Sequence, residues 1–167
     1  MSRRPPVFPT GEKEIKVIDA TNKCVGRLAA YIAKQLLAGV KVYVINVEKS
    51  MFLGGERTVE KFREKMKIRS YIHPNNTPRH PTTPIEIFRR VVRGMLPIRK
   101  PKGIAAYRRL RIFVGSPPHL APYAEHPLPE LDPLSLRKYI TVGDLSKILR
   151  GGKTFVDNLK IRESLRR

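Results

Sequence analysis

Tryptophan is missing from this chain of 167 residues, aromatics of all kinds make up only 7%, and there is a single cysteine, Cys24. One cysteine excludes an internal disulfide and a cysteine-rich zinc site, which agrees with a reducing compartment. The scarcity of aromatics argues against a surface of paired stacking platforms, and neither a zinc-finger nor a cold-shock pattern occurs. No apolar run approaches the roughly 18 to 20 residues that cross a bilayer. The opening MSRRPPVFPTG also has no apolar stretch of the kind a signal peptide needs, so a cytosolic protein is expected. The most telling shortage is of negative charge: Asp and Glu number 14 against 34 Lys and Arg, leaving a formal net charge of +20.

A small soluble domain is comfortable at a net charge of about 2 to 8, because self-repulsion grows with every like charge added. The excess here calls for a polyanionic partner, which releases condensed counterions when cations neutralise its phosphates. Nucleic acid is the leading reading and an anionic membrane surface the second. No basic amphipathic helix with a large aromatic face supports the second. Hydrophobic residues at 41% are enough for a core, so the charge is not that of a wholly disordered tail.

The charge is also unevenly spread. Lys61 to Arg111 hold 15 basic and 2 acidic residues, so this third of the chain carries +13 of the +20. Residues 112–136 hold no Lys or Arg, three acids and six of the fifteen prolines, and read as an extended connector. Residues 137–167 are basic again, with nine cations against three acids. The expected organisation is therefore an N-terminal arm at 1–14, a core domain at 15–116, a proline-rich connector at 117–136 and a basic helical tail at 137–167.

Local patterns place the elements. IKVIDA (15–20) suits a buried strand, and TNKCVGRLAAYIAKQLLAG follows with Val25, Leu28, Ala29, Ile32 and Leu36 at helical spacing. Thr21 or Asn22 is the expected cap and Gly39 the stop. VKVYVINVE (40–48) is apolar on both faces, as in the centre of an α/β sheet, so strand, helix and strand read as a right-handed βαβ unit. After the turn at Gly54 and Gly55, residues 56–69 read as a surface helix and residues 70–83 as a loop. Thr83, Pro84 and Glu86 form a capping box opening PIEIFRRVVRGML. A short helix over 102–109, a strand over 110–115 and one or two small helices in TVGDLSKILRGG and the segment after it, starting at Thr141 or Asp144, complete the pattern.

Several cations fall where chemistry could use them. Lys23 and Arg27 begin a helix, where cations are unfavourable unless an anion joins them at the free backbone N–H groups; simple solvation is the equal alternative. Arg89, Arg90 and Arg93 share the non-apolar side of the helix after Pro84. Arg99, Lys100, Lys102, Arg108, Arg109 and Arg111 follow, with no acid between Arg89 and Arg111. That makes a phosphate-tracking patch the preferred reading over a solvated face. Arg79 and His80, among Asn75, Asn76 and Thr77, suit a loop that threads between nucleic-acid strands, with a plain surface loop the nearly equal alternative. Binding is expected to rest on phosphate and sugar, with shape as the discriminator.

Catalytic readings find little support. The first βα turn lacks both the G-x-G-x-x-G and the P-loop pattern. His73, His80, His119 and His126 are scattered in proline-rich loops without metal-ligand spacing. Cys24 has no identifiable base beside it, and Asp19 is better placed to bond its own turn. An RNA-processing or nucleotide-dependent enzyme on a Rossmann-like scaffold remains the alternative. No cofactor, metal or small-molecule substrate is expected.

The segments VIDATNKCVGRLA, VYVINVEK, RHPTTPIEIFRRVVRGMLP and RKPKGIAAYRRLRIFVGSPP, in this order, resemble the universal ribosomal large-subunit protein number thirteen family in its archaeal and eukaryotic form. The likeness runs from about Ile15 to the mid-120s. It implies a three-layer α/β/α fold around a small, mostly parallel four-stranded sheet, with extended basic N- and C-terminal segments. It also implies a non-enzymatic protein that binds large-subunit rRNA, joins subunit assembly early and meets neighbouring ribosomal proteins. On the same resemblance, the stretch from Arg89 to Arg111 and the loop with Arg79 and His80 face RNA.

Overall fold

The computed structural model describes residues 15–125 and 138–151. Strands β1 (Ile15–Asp19) and β2 (Lys41–Ile45) run parallel, with Val17 opposite Tyr43 and Ile18 opposite Val44, and helix α1 (Val25–Leu37) joins them. β4 (Leu110–Ile112) adds to β2 and β5 (Ala124–Glu125) adds to β1, giving a parallel four-stranded sheet in the order β4-β2-β1-β5. Alternate side chains serve opposite faces. Ile18, Val42, Val44 and Leu110 enter the main core, while Val17 and Ile45 join Leu120 in a smaller cluster on the other side. A strand apolar on both faces must be covered on both. α1 covers one side with α3 (Pro84–Met95) and α4 (Pro101–Arg108) packed on it, and Leu120 and Tyr123, at a 3-10 turn, cover the other. The result is a small three-layer α/β fold.

The end of α1 follows from Gly39, which takes φ 98° so that its N–H reaches the Leu36 carbonyl at 3.1 Å and the Val40 N–H reaches Gln35 at 3.2 Å. These two bonds satisfy carbonyls that the helix end would otherwise leave open. The start of α1 departs from expectation. Its N-cap is Cys24, with no side-chain capping bond. Thr21 instead donates both its N–H and its hydroxyl to Asp19 Oδ1, at 2.9 and 2.7 Å, and Asn22 adopts a left-handed φ of 57°. Both expected caps are used up by the turn before the helix. Asn46 also donates to Asp19 Oδ1, at 3.1 Å, from a left-handed φ of 54°. That conformation ends β2 at Ile45 instead of Glu48, and Val47–Lys49 becomes a 3-10 turn.

The Thr83 cap at the start of α3 forms as expected, with Thr83 Oγ1 accepting from the Glu86 N–H at 3.2 Å. A second, antiparallel sheet was not legible beforehand. β3 (Met51–Leu53), which precedes α2 (Glu56–Lys67), pairs with β6 (Tyr139–Thr141). β6 leads into α5 (Val142–Leu149), capped by Thr141, whose Oγ1 accepts from the Asp144 N–H at 3.0 Å. α5 buries Val142 and Leu145 in the main core, and Ser146 Oγ donates to the Thr82 carbonyl at 2.7 Å. The apolar side chains of Leu120, Val142 and Leu145 thus draw parts of the expected connector and tail onto the core. The expected arm at 1–14, and residues 126–137 and 152–167 of the connector and tail, lie outside the described residues.

Two helical glycines test this packing with opposite signs. A Cβ at Gly103 would overlap the Pro97 carbonyl, whereas one at Gly94 would meet no atom within 4 Å. Gly103→Ala should therefore destabilise the fold by about 1–3 kcal/mol through overpacking against backbone. Gly94→Ala should be neutral or stabilising by up to about 1 kcal/mol, the usual helix preference. Chemical denaturation of both variants checks the pair, and equal effects would contradict the close approach at Gly103.

Candidate nucleic-acid interface

The orientation of α3 sets the site. Ile87, Phe88 and Val92 are buried, so Arg90 and Arg93 are left exposed and Arg89 half-buried. Beyond α3 the chain turns through Leu96 to Lys100, and Gly103 lets α4 close against that turn. Between α3, residues 79–81, the turn and Tyr107 of α4 lies an open groove of about 1120 Å³. Arg79 and His80 reach it from the loop, Arg89, Arg90 and Arg93 from the helix, and Arg99 and Lys100 from the turn. One acid, Glu86, also lines it, and Leu96, Pro97 and Ile98 supply apolar wall.

The cations are not equivalent. Arg90 Nη1 donates to the Arg79 carbonyl at 3.1 Å, which ties the loop to the helix. The Arg89 guanidinium sits 5.3 Å from the centre of the Tyr107 ring, a cation–π contact that holds it in the groove. Its Nε is buried without a hydrogen-bond partner among the described residues, as is His80 Nε2. A buried polar atom left unpaired is costly, so both atoms would gain from a ligand oxygen or ordered water. His80 is held below the ordinary histidine value of 6.5, first by loss of solvation and then by the charges of Arg90 and Lys65. Arg93, Arg99 and Lys100 stand exposed around the groove.

Open shape, many cations and one acid suit an extended polyanion better than a small substrate. A second hollow, of about 460 Å³, mixes Lys49 and Lys147 with Glu48 and Asp144 and offers no such bias. Asp19, the acid considered for catalysis, accepts three hydrogen bonds from Thr21 and Asn46. Among the described residues no three His, Cys, Asp or Glu side chains are placed to hold a metal ion.

The remaining expected residues lie elsewhere. Lys102 and Arg108 are exposed on α4 and Arg109 is half-buried just after it, and none of the three lines the groove. Lys23 and Arg27 belong to the start of α1, beside a turn in which the Asn22 N–H donates to the Lys49 carbonyl and the Met51 N–H to the Lys23 carbonyl. Tyr107 was not anticipated. Its helical register after Gly103 was readable, but its meeting with Arg89 depends on how α4 is set against α3.

Residues 13–119 match the family described as Ribosomal protein L13. The chain is 38% identical over 147 residues to the large ribosomal subunit protein uL13 of Sulfolobus acidocaldarius, spanning 86% of this chain and 99% of that one. It is 38% identical over 141 residues to the protein of the same name from Methanococcus maripaludis, covering 80% and 96% of the two chains. A third, from Archaeoglobus fulgidus, is 38% identical over 147 residues, covering 86% and 92%.

His80 gives a pH test of the groove. Because its folded value is lowered, the unfolded chain takes up the proton more readily, and the fold should lose stability as pH falls below about 6.5. His80→Gln should remove that part of the slope. In Arg90→Gln the ring should titrate closer to 6.5, followed by NMR of its carbon-bound protons, and an unmoved midpoint would show that the guanidinium charge does not reach it.

Proposed function

The chain belongs to the ribosomal protein L13 family, and from that membership we propose that it is a structural, non-catalytic constituent of the large ribosomal subunit that grips the backbone of large-subunit rRNA in the α3 groove. One observation carries the assignment of the groove: cations from three separate segments, at residues 79, 89–93 and 99–100, converge on a single open surface. The protein's role is electrostatic and geometric. Arg93, Arg99 and Lys100 neutralise phosphates, while the fold fixes their spacing, so RNA segments that approach each other are held at one separation and the subunit can assemble around them. Lys102, Arg108 and Arg109 add cations nearby, and Lys23 and Arg27 form a separate, secondary contact.

Neighbouring large-subunit proteins and the cytoplasmic ribosome are the setting this reading implies. No helix among the described residues is long and apolar enough to cross a membrane. The arm at 1–14 and the tail beyond residue 151 contain Arg3, Arg4, Lys153, Lys160 and Arg162 among other cations, and extend the same electrostatic attachment. In this proposal the core domain at 15–116 also receives Leu120 from the connector and Val142 and Leu145 from the tail, which pack with its apolar side chains.

Arg93→Ala combined with Arg99→Ala leaves the buried side of α3 untouched, so unfolding should be unchanged while affinity for deproteinised large-subunit rRNA drops. The logarithm of affinity should fall linearly with the logarithm of salt concentration, by about 0.7 to 0.9 per phosphate contact, and the double variant should lower that slope by the same amount for each lost cation. Filter binding across a salt series measures both, and salt-insensitive binding by the parent protein would sink the mechanism.

A further inference from the structure

Phosphate binding does not account for the tip of the loop between α2 and α3. Tyr71 is 98% exposed and Ile72 85%, and with Met66 and Ile68 they place half of the eight large exposed apolar side chains of the described residues within positions 66–72. Single exposed apolar residues are ordinary, but such a concentration marks a surface that meets something. Hydrogen bonds within the loop shape its tip. The Ser70 N–H donates to Thr77 Oγ1 at 3.3 Å, the His73 N–H to Ser70 Oγ at 3.4 Å and the Asn76 N–H to the His73 carbonyl at 2.9 Å. Its own polar groups therefore brace the tip, and Tyr71 and Ile72 project from it without packing on the core.

Charge identifies the occupant. From Lys65 to Arg79 there are four cations, Lys65, Lys67, Arg69 and Arg79, and no acid. Arg79 also belongs to the groove, so the tip continues the cationic surface that starts there. RNA presents flat apolar base faces and phosphates together, which is the combination this segment complements. An aromatic ring stacks on any base, and it is stiff enough to lose little freedom in doing so.

We propose that Tyr71 stacks on an unpaired base of large-subunit rRNA, with Ile72 packed beside it and Lys67 and Arg69 on the adjoining phosphates. This rests on the rRNA-binding reading of the groove and adds base contact to it. The tip stands outside the core, so substitutions there should leave the unfolding midpoint unchanged.

The chain has no tryptophan, so Tyr71→Trp introduces a single reporter. With the 167-residue chain and deproteinised large-subunit rRNA, Tyr71→Ala should bind about tenfold more weakly, as loss of one stacked base implies. Its salt slope should be unchanged, because no cation is removed. Tyr71→Trp should retain the parent affinity, and its emission should be quenched by the rRNA. Parent-like binding by Tyr71→Ala together with unaltered Trp emission, while binding stays salt-dependent, would overturn the stacking and leave the groove standing. Absence of any binding by the parent protein at low salt would remove both. An emission change seen only in the reassembled subunit, and not with rRNA alone, would assign the tip to a neighbouring protein and overturn this proposal.

Discussion

The seam between α1 and α3 is the contact on which the rest depends. Phe88 and Val92 are fully buried there against a helix whose Leu28, Ile32 and Leu36 are equally inaccessible. Each such side chain stabilises the fold by about 1.5–3 kcal/mol relative to exposure, so α3 has one rotation about its axis that satisfies its apolar face. With that rotation set, Arg90 and Arg93 have nowhere to go but outward. The capping of α3 by Thr83 and the close approach at Gly103 then define where the helix begins and how tightly the next one folds back beside it.

Electrostatics is subordinate to that packing but decides what the surface is for. Bringing Arg79, Arg89, Arg93, Arg99 and Lys100 together costs repulsion in the free protein. Some of this cost is managed internally. Arg90 is committed to the Arg79 carbonyl, Arg89 rests on the Tyr107 ring, and His80 is kept toward its neutral form. The cations divide into some that shape the groove and others that stay exposed around it, a distinction that a run of Arg and Lys in a sequence does not carry. Because the geometry is established by folding, a polyanion meeting the groove would have less ordering to impose on it.

Much of the fold was legible because its signals are local. Gly39 stops α1 through a left-handed residue, Thr83 opens α3 through its own hydroxyl, and the two-faced apolar run from Val42 to Ile45 sits at the centre of the sheet. The helix cap was misplaced because of competition for partners. Thr21 and Asn22 are sound caps by type, but Asp19 and the turn took them first. β5 has two residues in a proline-rich stretch and exists because Val17 offers it a free edge, while β3 finds its partner in β6 about ninety positions along the chain. Neither pairing leaves a periodic trace in its own short segment.

By itself, the sequence determined that this protein has a βαβ core, a strongly amphipathic arginine helix and a large excess of positive charge, since apolar spacing, caps and net charge act over a few residues or over the whole chain at once. Only the tertiary structure decided which cations stand together. His80 and Arg99 are separated by a full helix and a turn, yet they line one groove, whereas Arg108, on the next helix, does not. Proximity between distant residues depends on how helices pack and cross, and the same packing left Tyr71 in solvent while placing Tyr107 beneath an arginine.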